Sequence, residues 1–211
     1  MELVTILCVP LTSIALFIFY LLILRIIREF FVENNLQNKS ENVSTLIVLG
    51  SGGHTTEMLR LISALDTTKY SPQTYMVADT DTSSLSKLKA LNLESQIQVI
   101  PRSREVGQSW ISTIFTSIRA TLACAKLLLK HRPKLLLCNG PGTCVPPCLI
   151  AWIYNIFFLK RTKIVFVESI CRIKTVSLSG KILCHIADAC LVQWPELAEK
   201  NSQFTYIARF T

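Results

Sequence analysis

The sequence predicts an α/β protein: a single Rossmann-like, doubly wound parallel sheet with an N-terminal transmembrane helix. Three observations predict it. Short apolar runs rich in β-formers alternate with segments of helical periodicity, and that alternation implies a parallel sheet with helices on both faces. Glycine-rich breaks follow the first and fourth runs, where open α/β sheets place their binding loops. Residues 3–24 contain no charged side chain, enough for one membrane crossing. Half of the 211 residues are hydrophobic and 17% are charged. That balance excludes a disordered chain.

The N-terminal run spans just over about 30 Å as a helix, the thickness of the hydrocarbon core. A cleaved signal peptide is disfavoured by Glu2 at the start, by the long apolar stretch and by the lack of a small-residue cleavage site. Only Glu2 precedes the run, whereas Arg25 and Arg28 follow it. The positive-inside rule therefore puts the N-terminus in a lumen and residues 25–211 in the cytosol. Eight cysteines without CxxC spacing fit reduced cytosolic thiols, and Cys144 and Cys148 read as core thiols rather than metal ligands. The sequons at Asn38 and Asn42 are expected to stay unmodified in this topology. The chain divides into an anchor (1–24), a basic juxtamembrane segment with a polar linker (25–44) and a cytosolic lobe (45–211).

Within the lobe, residues 45–49 are a buried strand stopped by Gly-Ser-Gly-Gly. Residues 54–65 follow as a helix, with Met58, Leu59, Ile62 and Leu65 at helical spacing and Thr55, Thr56 and Glu57 in its first turn. Further strands are expected at 74–78, 97–100, 135–138, 164–167 and 189–193, with helices at 83–91, 109–130, 144–158 and 178–186. Residues 144–159 carry no charge. They are short for a second span, and a crossing there would split the sheet, so they read as a buried crossover helix.

In 109–130, Trp110, Ile111, Ile114, Phe115, Ile118 and Leu122 share one face, with Arg102 and Arg104 just before it. This stripe reads as helix core. The alternative is a face resting on the bilayer, with Arg102, Arg104, Trp110 and Ile114 as membrane contacts. The net charge of +8 suits anionic head groups and diphosphates, and no nucleic-acid motif is present.

Candidate chemistry gathers where strands end. Gly50-Ser51-Gly52-Gly53-His54-Thr55 lies between a strand and a helix N-terminus, a natural anion site. It is neither a Walker A motif nor the dinucleotide fingerprint, since Thr55 stands where the third glycine belongs. His54 is placed to take a proton from a hydroxyl nucleophile; the alternative is a helix-start residue bonding its own loop. Asn139, Gly140 and Gly142 form a second loop on the same edge, facing the same crevice. Glu168 and Ser169 end the next strand there. Glu168 is a site carboxylate or is paired to Arg172 or Lys174. Asp79-Thr80-Asp81 reads as a solvated turn, with a ribose-binding acid as the alternative.

The segments LGSGGHTTEMLRL, CNGPGT, VFVESICRIKTVSLSGKIL and VQWPEL together resemble the membrane-anchor subunit of the eukaryotic UDP-N-acetylglucosamine transferase of dolichol-linked oligosaccharide synthesis. The resemblance runs from about residue 45 to 197, and the N-terminal span matches too. The final TYIARFT matches less well. That family is similar to the N-terminal half of bacterial GlcNAc transferases of the two-lobed GT-B fold.

The resemblance implies a small soluble partner subunit carrying the donor-binding lobe and most UDP-GlcNAc contacts. The joined pair would add a β1,4-linked GlcNAc to dolichyl-diphosphate-GlcNAc on the cytosolic face of the endoplasmic reticulum. It places the acceptor diphosphate near Gly50, Gly52, Gly53 and His54, with Ser51 and Thr55 in the same loop. His54 is the first candidate for the base and Glu168 the second. No metal or cofactor is expected. A pure membrane scaffold and a membrane-tethered nicotinamide oxidoreductase are the competing readings.

Overall fold

The computed structural model describes residues 19–20, 23, 42–93, 96–103, 107–157 and 162–208. The expected anchor and linker lie outside the described residues except at 19–20, 23 and 42–44, and so does Arg104. The chain runs β1 (Thr45–Val48), α1 (Gly53–Ser63), β2 (Gln73–Ala78), α2 (Thr82–Ala90), β3 (Ile97–Ile100), α3 (Trp110–His131) and β4 (Leu135–Asn139). It continues α4 (Val145–Phe157), β5 (Lys163–Val167), α5 (Leu178–Leu183), β6 (Ala189–Val192), α6 (Pro195–Lys200) and β7 (Thr205–Tyr206).

The strands form one sheet in the order β3-β2-β1-β4-β5-β6-β7, and every ladder is parallel. This is the expected doubly wound arrangement. The order reverses between β1 and β4, the switch point at which such sheets bind ligands. Val48 pairs with Cys138, so β1 and β4 end nearly level and their following loops leave the same edge.

Alternation along each strand builds two cores. Leu46, Val48, Leu136, Cys138, Ile164 and Phe166 face Cys124 and Leu128 of α3 and Cys148 and Ala151 of α4. Ile47, Leu49, Tyr75, Val77 and Leu137 face Met58, Leu61 and Ile62 of α1 and Leu88 of α2. On this second face helical cover stops short of β5 and β6. An open apolar groove of about 430 Å3 remains there, lined by Leu61, Leu65, Leu137, Val165 and Leu191, with Lys134 and Lys163 among its residues.

The described part of 144–159 behaves as the crossover expected of it: Pro146, Pro147, Cys148, Ile150 and Ala151 of α4 are buried. Cys144 and Cys148 are buried thiols, as read, and the Sγ atoms of Cys138 and Cys148 lie 3.4 Å apart. The core reading of the α3 stripe is overturned. Ile111, Ile114, Phe115, Ile118 and Leu122 are each more than half exposed, while Ala120, Cys124, Leu127 and Leu128 on the opposite face are buried. The helix is long and apolar enough to cross a membrane over Ile111–His131. Both its ends feed strands of one sheet, however, so it lies along the sheet. Helix α6 and strand β7 had no forecast.

Candidate functional site

Two loops build the site, and their glycines make it possible. After β1, Gly52 has φ +66° and caps α1 with no side-chain hydrogen bond. Helices α2, α3 and α5 are by contrast capped by the side chains of Asp81, Ser109 and Ser177. The first N–H groups of α1 thus lack a side-chain cap, and the helix dipole adds partial positive charge there. After β4, Gly140 has φ +76°, and a Cβ on it would collide with the His54 ring. A Cβ on Gly50 would likewise strike Pro141. The two loops interlock, and only glycine permits the approach.

They border an open cleft of about 650 Å3, lined by Gly53, His54, Glu57, Gly140, Gly142, Glu168, Ser169, Arg172 and Ser177 among others. This cleft, rather than the apolar groove on the sheet face, is the candidate site, because it gathers the polar groups. His54 is partly exposed. Its Nδ1 lies 3.2 Å from Asn139 Oδ1. Asn139, 2% exposed, donates through Nδ2 to Glu57 Oε2 at 3.1 Å and to the Val167 carbonyl at 3.3 Å. Glu57 also accepts from Ser169 Oγ at 2.9 Å and from the Ile170 N–H at 3.3 Å. One carboxylate thus ties helix α1 to the end of β4 and to the loop after β5.

The sequence places Glu57 in the first turn of the helix and assigns it nothing more. Helix α1 begins at Gly53, so Glu57 falls in the second turn. The signal for its role was its spacing: three residues after His54, it shares that side of the helix.

Glu168 is 1% exposed. Its carboxylate accepts from the N–H groups of Ser169 at 3.0 Å and Ser177 at 2.8 Å, pinning the loop before α5. Backbone groups, not the Arg172 or Lys174 side chains, supply these contacts. Thr55 lies fully buried, and its hydroxyl bonds the Gly50 carbonyl and Ser84 Oγ. That side chain braces the loop from inside, so a phosphate could meet Thr55 only through its backbone. Ser51 and Gly52 are exposed beside the cleft.

The Asp79–Asp81 turn is structural on both sides. Asp81, 5% exposed, caps α2 by accepting from the Ser84 N–H, so it is not the solvated residue expected. Asp79 accepts from the Arg102 N–H, and the Arg102 guanidinium donates to Thr80. Trp110 is the first residue of α3, and Ile114 is 59% exposed. Among the described residues no group of three or more His, Cys, Asp and Glu side chains is arranged to hold a metal ion.

A family model described as "Oligosaccharide biosynthesis protein Alg14 like" matches residues 45–210. The chain belongs to the Alg14 family. The match runs past residue 197 through nearly all of the terminal segment that the sequence reading set apart. The human protein named UDP-N-acetylglucosamine transferase subunit ALG14 is 47% identical over 181 residues, covering 80% of this chain and 83% of its own length. The Schizosaccharomyces pombe subunit of the same name is 45% identical over 170 residues, covering 77% and 80%.

Among solved structures, Acinetobacter baumannii MurG superposes with a TM-score of 0.59 at 14% identity, over 79% of this chain and 45% of that one. The UDP-GlcNAc 2-epimerase of Methanocaldococcus jannaschii gives a TM-score of 0.56 at 14% identity, over 79% and 45%. This Alg14-family chain therefore spans under half the length of these solved structures, and at such identity the likeness is one of fold: a GT-B-like lobe.

Proposed function

We propose that this chain is the acceptor-binding, membrane-anchored subunit of a two-subunit UDP-GlcNAc transferase. The reaction is addition of the second GlcNAc, β1,4-linked, to dolichyl-diphosphate-GlcNAc in N-glycan precursor synthesis. The observation that carries this reading is the cleft itself: an uncapped helix N-terminus and two interlocked glycine loops around one partly exposed histidine. Family membership and the names of its relatives as transferase subunits support the class of reaction.

The cleft is open on one side. Glycosyl transfer needs donor and acceptor held together away from bulk water, and a small soluble partner subunit carrying the UDP-GlcNAc lobe supplies the second wall. The diphosphate of the acceptor lies against the Gly50–Gly53 loop and the first N–H groups of α1. His54 takes the proton of the acceptor 4-hydroxyl as that oxygen bonds to the anomeric carbon. UDP departs with the electrons of the old bond. Glu168 holds the cleft wall and is the less exposed of the two candidate groups.

Residues 1–24 anchor the chain in the endoplasmic reticulum membrane as a single span, with residues 25–44 linking it to a cytosolic lobe at 45–211. Helix α3 follows β3 and so begins at the edge that carries the cleft. Its exposed stripe, from Ile111 and Ile114 to Leu122, rests against lipid beside the acceptor's head group, with Arg102, Arg104 and Trp110, which come just before it in the sequence, as further membrane contacts.

The test is transfer by the assembled pair, supplied with UDP-GlcNAc and a dolichyl-diphosphate-GlcNAc acceptor. Replacing His54 by Ala lowers turnover by about 10²-fold or more, the scale of lost general-base catalysis, with co-purification of the partner unchanged. Near-normal turnover would leave this chain only a scaffold's role.

A further inference from the structure

The geometry points to Glu57 as the positioning residue that sets the tautomer of His54, acting through Asn139; this rests on the reading of His54 as the base. Glu57 has no other part in the proposed chemistry. A neutral imidazole accepts a proton only at the nitrogen that carries none, so a base needs its tautomer fixed.

The side-chain amide of Asn139 is oriented by two neighbours that point the same way. The Val167 carbonyl can only accept a hydrogen bond, and an ionised Glu57 carboxylate likewise. Both sit within 3.3 Å of Nδ2. The amide nitrogen therefore faces them, and Oδ1 is left facing His54 Nδ1 at 3.2 Å. An oxygen there accepts, so Nδ1 must carry the proton. The lone pair of neutral His54 is then on Nε2, which has no partner among the described residues, while the ring lines the cleft.

Glu57 is itself held, by Ser169 Oγ and the Ile170 N–H, and it lies one helical turn from His54 on α1. The chain of contacts from Ser169 through Glu57 and Asn139 to His54 spans three elements that meet only in the folded sheet. Placing the same histidine in the opposite tautomer would leave a proton on the atom that has to receive one.

Two measurements on the full chain assembled with its soluble partner test this. In imidazole 15N spectra, with the His54 signals assigned by their loss in His54→Gln, the neutral wild-type ring is expected as the Nδ1–H tautomer. Glu57→Leu fills a similar space but offers no acceptor, so the Val167 carbonyl alone is left to hold Asn139 Nδ2. This variant is expected to raise the Nε2–H population and to lower kcat at least about tenfold, with the acceptor KM unchanged. A purely structural role for Glu57 would move neither the tautomer ratio nor kcat apart from KM. A wild-type ring found as Nε2–H, or a Glu57→Leu complex with an unchanged tautomer ratio, overturns the inference. Near-normal turnover of His54→Ala would instead remove the base assignment, while the tautomer result stands or falls by itself.

Discussion

Gly140 packs against the imidazole of His54, so close that the smallest side chain at that position would overlap the ring. Its φ of +76° adds a second reason for glycine. Gly140→Ala is therefore expected to cost about 1–2 kcal/mol for the left-handed backbone and to push His54 out of register with Asn139. Turnover of the assembled pair should fall along with stability. Gly142 is the control, because a Cβ there meets nothing within 4 Å. Gly142→Ala should change stability by less than about 0.5 kcal/mol. Urea melts of both variants check the contrast, and equal melts would show that the interlock of the loops is unimportant.

Thr55 tests the inner side of the facing loop, the one after β1. Its buried hydroxyl joins Gly50 to Ser84, and Ser84 Oγ also reaches the Gly50 carbonyl at 3.3 Å. Thr55→Val keeps the volume and removes the bonds. The expected loss is about 1–3 kcal/mol, the cost of leaving buried polar groups short of a partner. Denaturant titration measures it; an unchanged midpoint would mean that water or Ser84 alone satisfies the loop.

What the residues disclosed and what they hid have separate physical causes. Strands β1 to β6 were legible because a buried parallel strand is a short apolar run between turn signals, and the run at 45–49 is of that kind. Strand β7 has two residues, Thr205 and Tyr206, too few to show any period. The α3 stripe showed its spacing but not its surroundings, since an exposed apolar stripe and a core stripe share one periodicity. The burial of Thr55 was invisible because it depends on Ser84, 29 positions away. The two loops that border the cleft were legible from their glycines, whereas Glu57 was masked by an ordinary helix-forming role.

The exposed stripe of α3 has its own consequence. Ile114 and Phe115 are 59% and 71% exposed, so charges placed there disturb little packing. Ile114→Asp combined with Phe115→Asp should leave the melting of the lobe within about 0.5 kcal/mol. The same pair should weaken activity on an acceptor embedded in vesicles and spare activity on a short-chain acceptor in detergent. Equal loss in both assays would mean that the stripe serves folding or the partner rather than lipid.

The buried thiols give a pH dependence with a definite sign. Burial pushes the Cys190 thiol from its usual 9.0 up to about 12, with smaller contributions from the nearby Cys184, Cys148 and Glu168. Burial, and then hydrogen bonds to Cys144 and Cys148, hold Cys138 well above its ordinary range. The folded chain therefore keeps these protons where the unfolded chain has released them. Their contribution to stability is complete below about pH 9 and is lost as pH rises toward 12, because the unfolded state then binds fewer protons than the native one. Melting temperature should accordingly fall with rising pH through that window, and fall less when Cys190 is replaced by Ala and compared with its own value at pH 7. The same burial predicts reactivity: at pH 8 an alkylating reagent should modify the exposed Cys171 and leave Cys138 and Cys190 untouched until the sheet opens. Peptide mapping after brief alkylation reads this directly. Rapid labelling of Cys138 in the native protein would mean that the core beneath the β4 loop, and with it the platform under Asn139 and His54, opens far more readily than its packing implies.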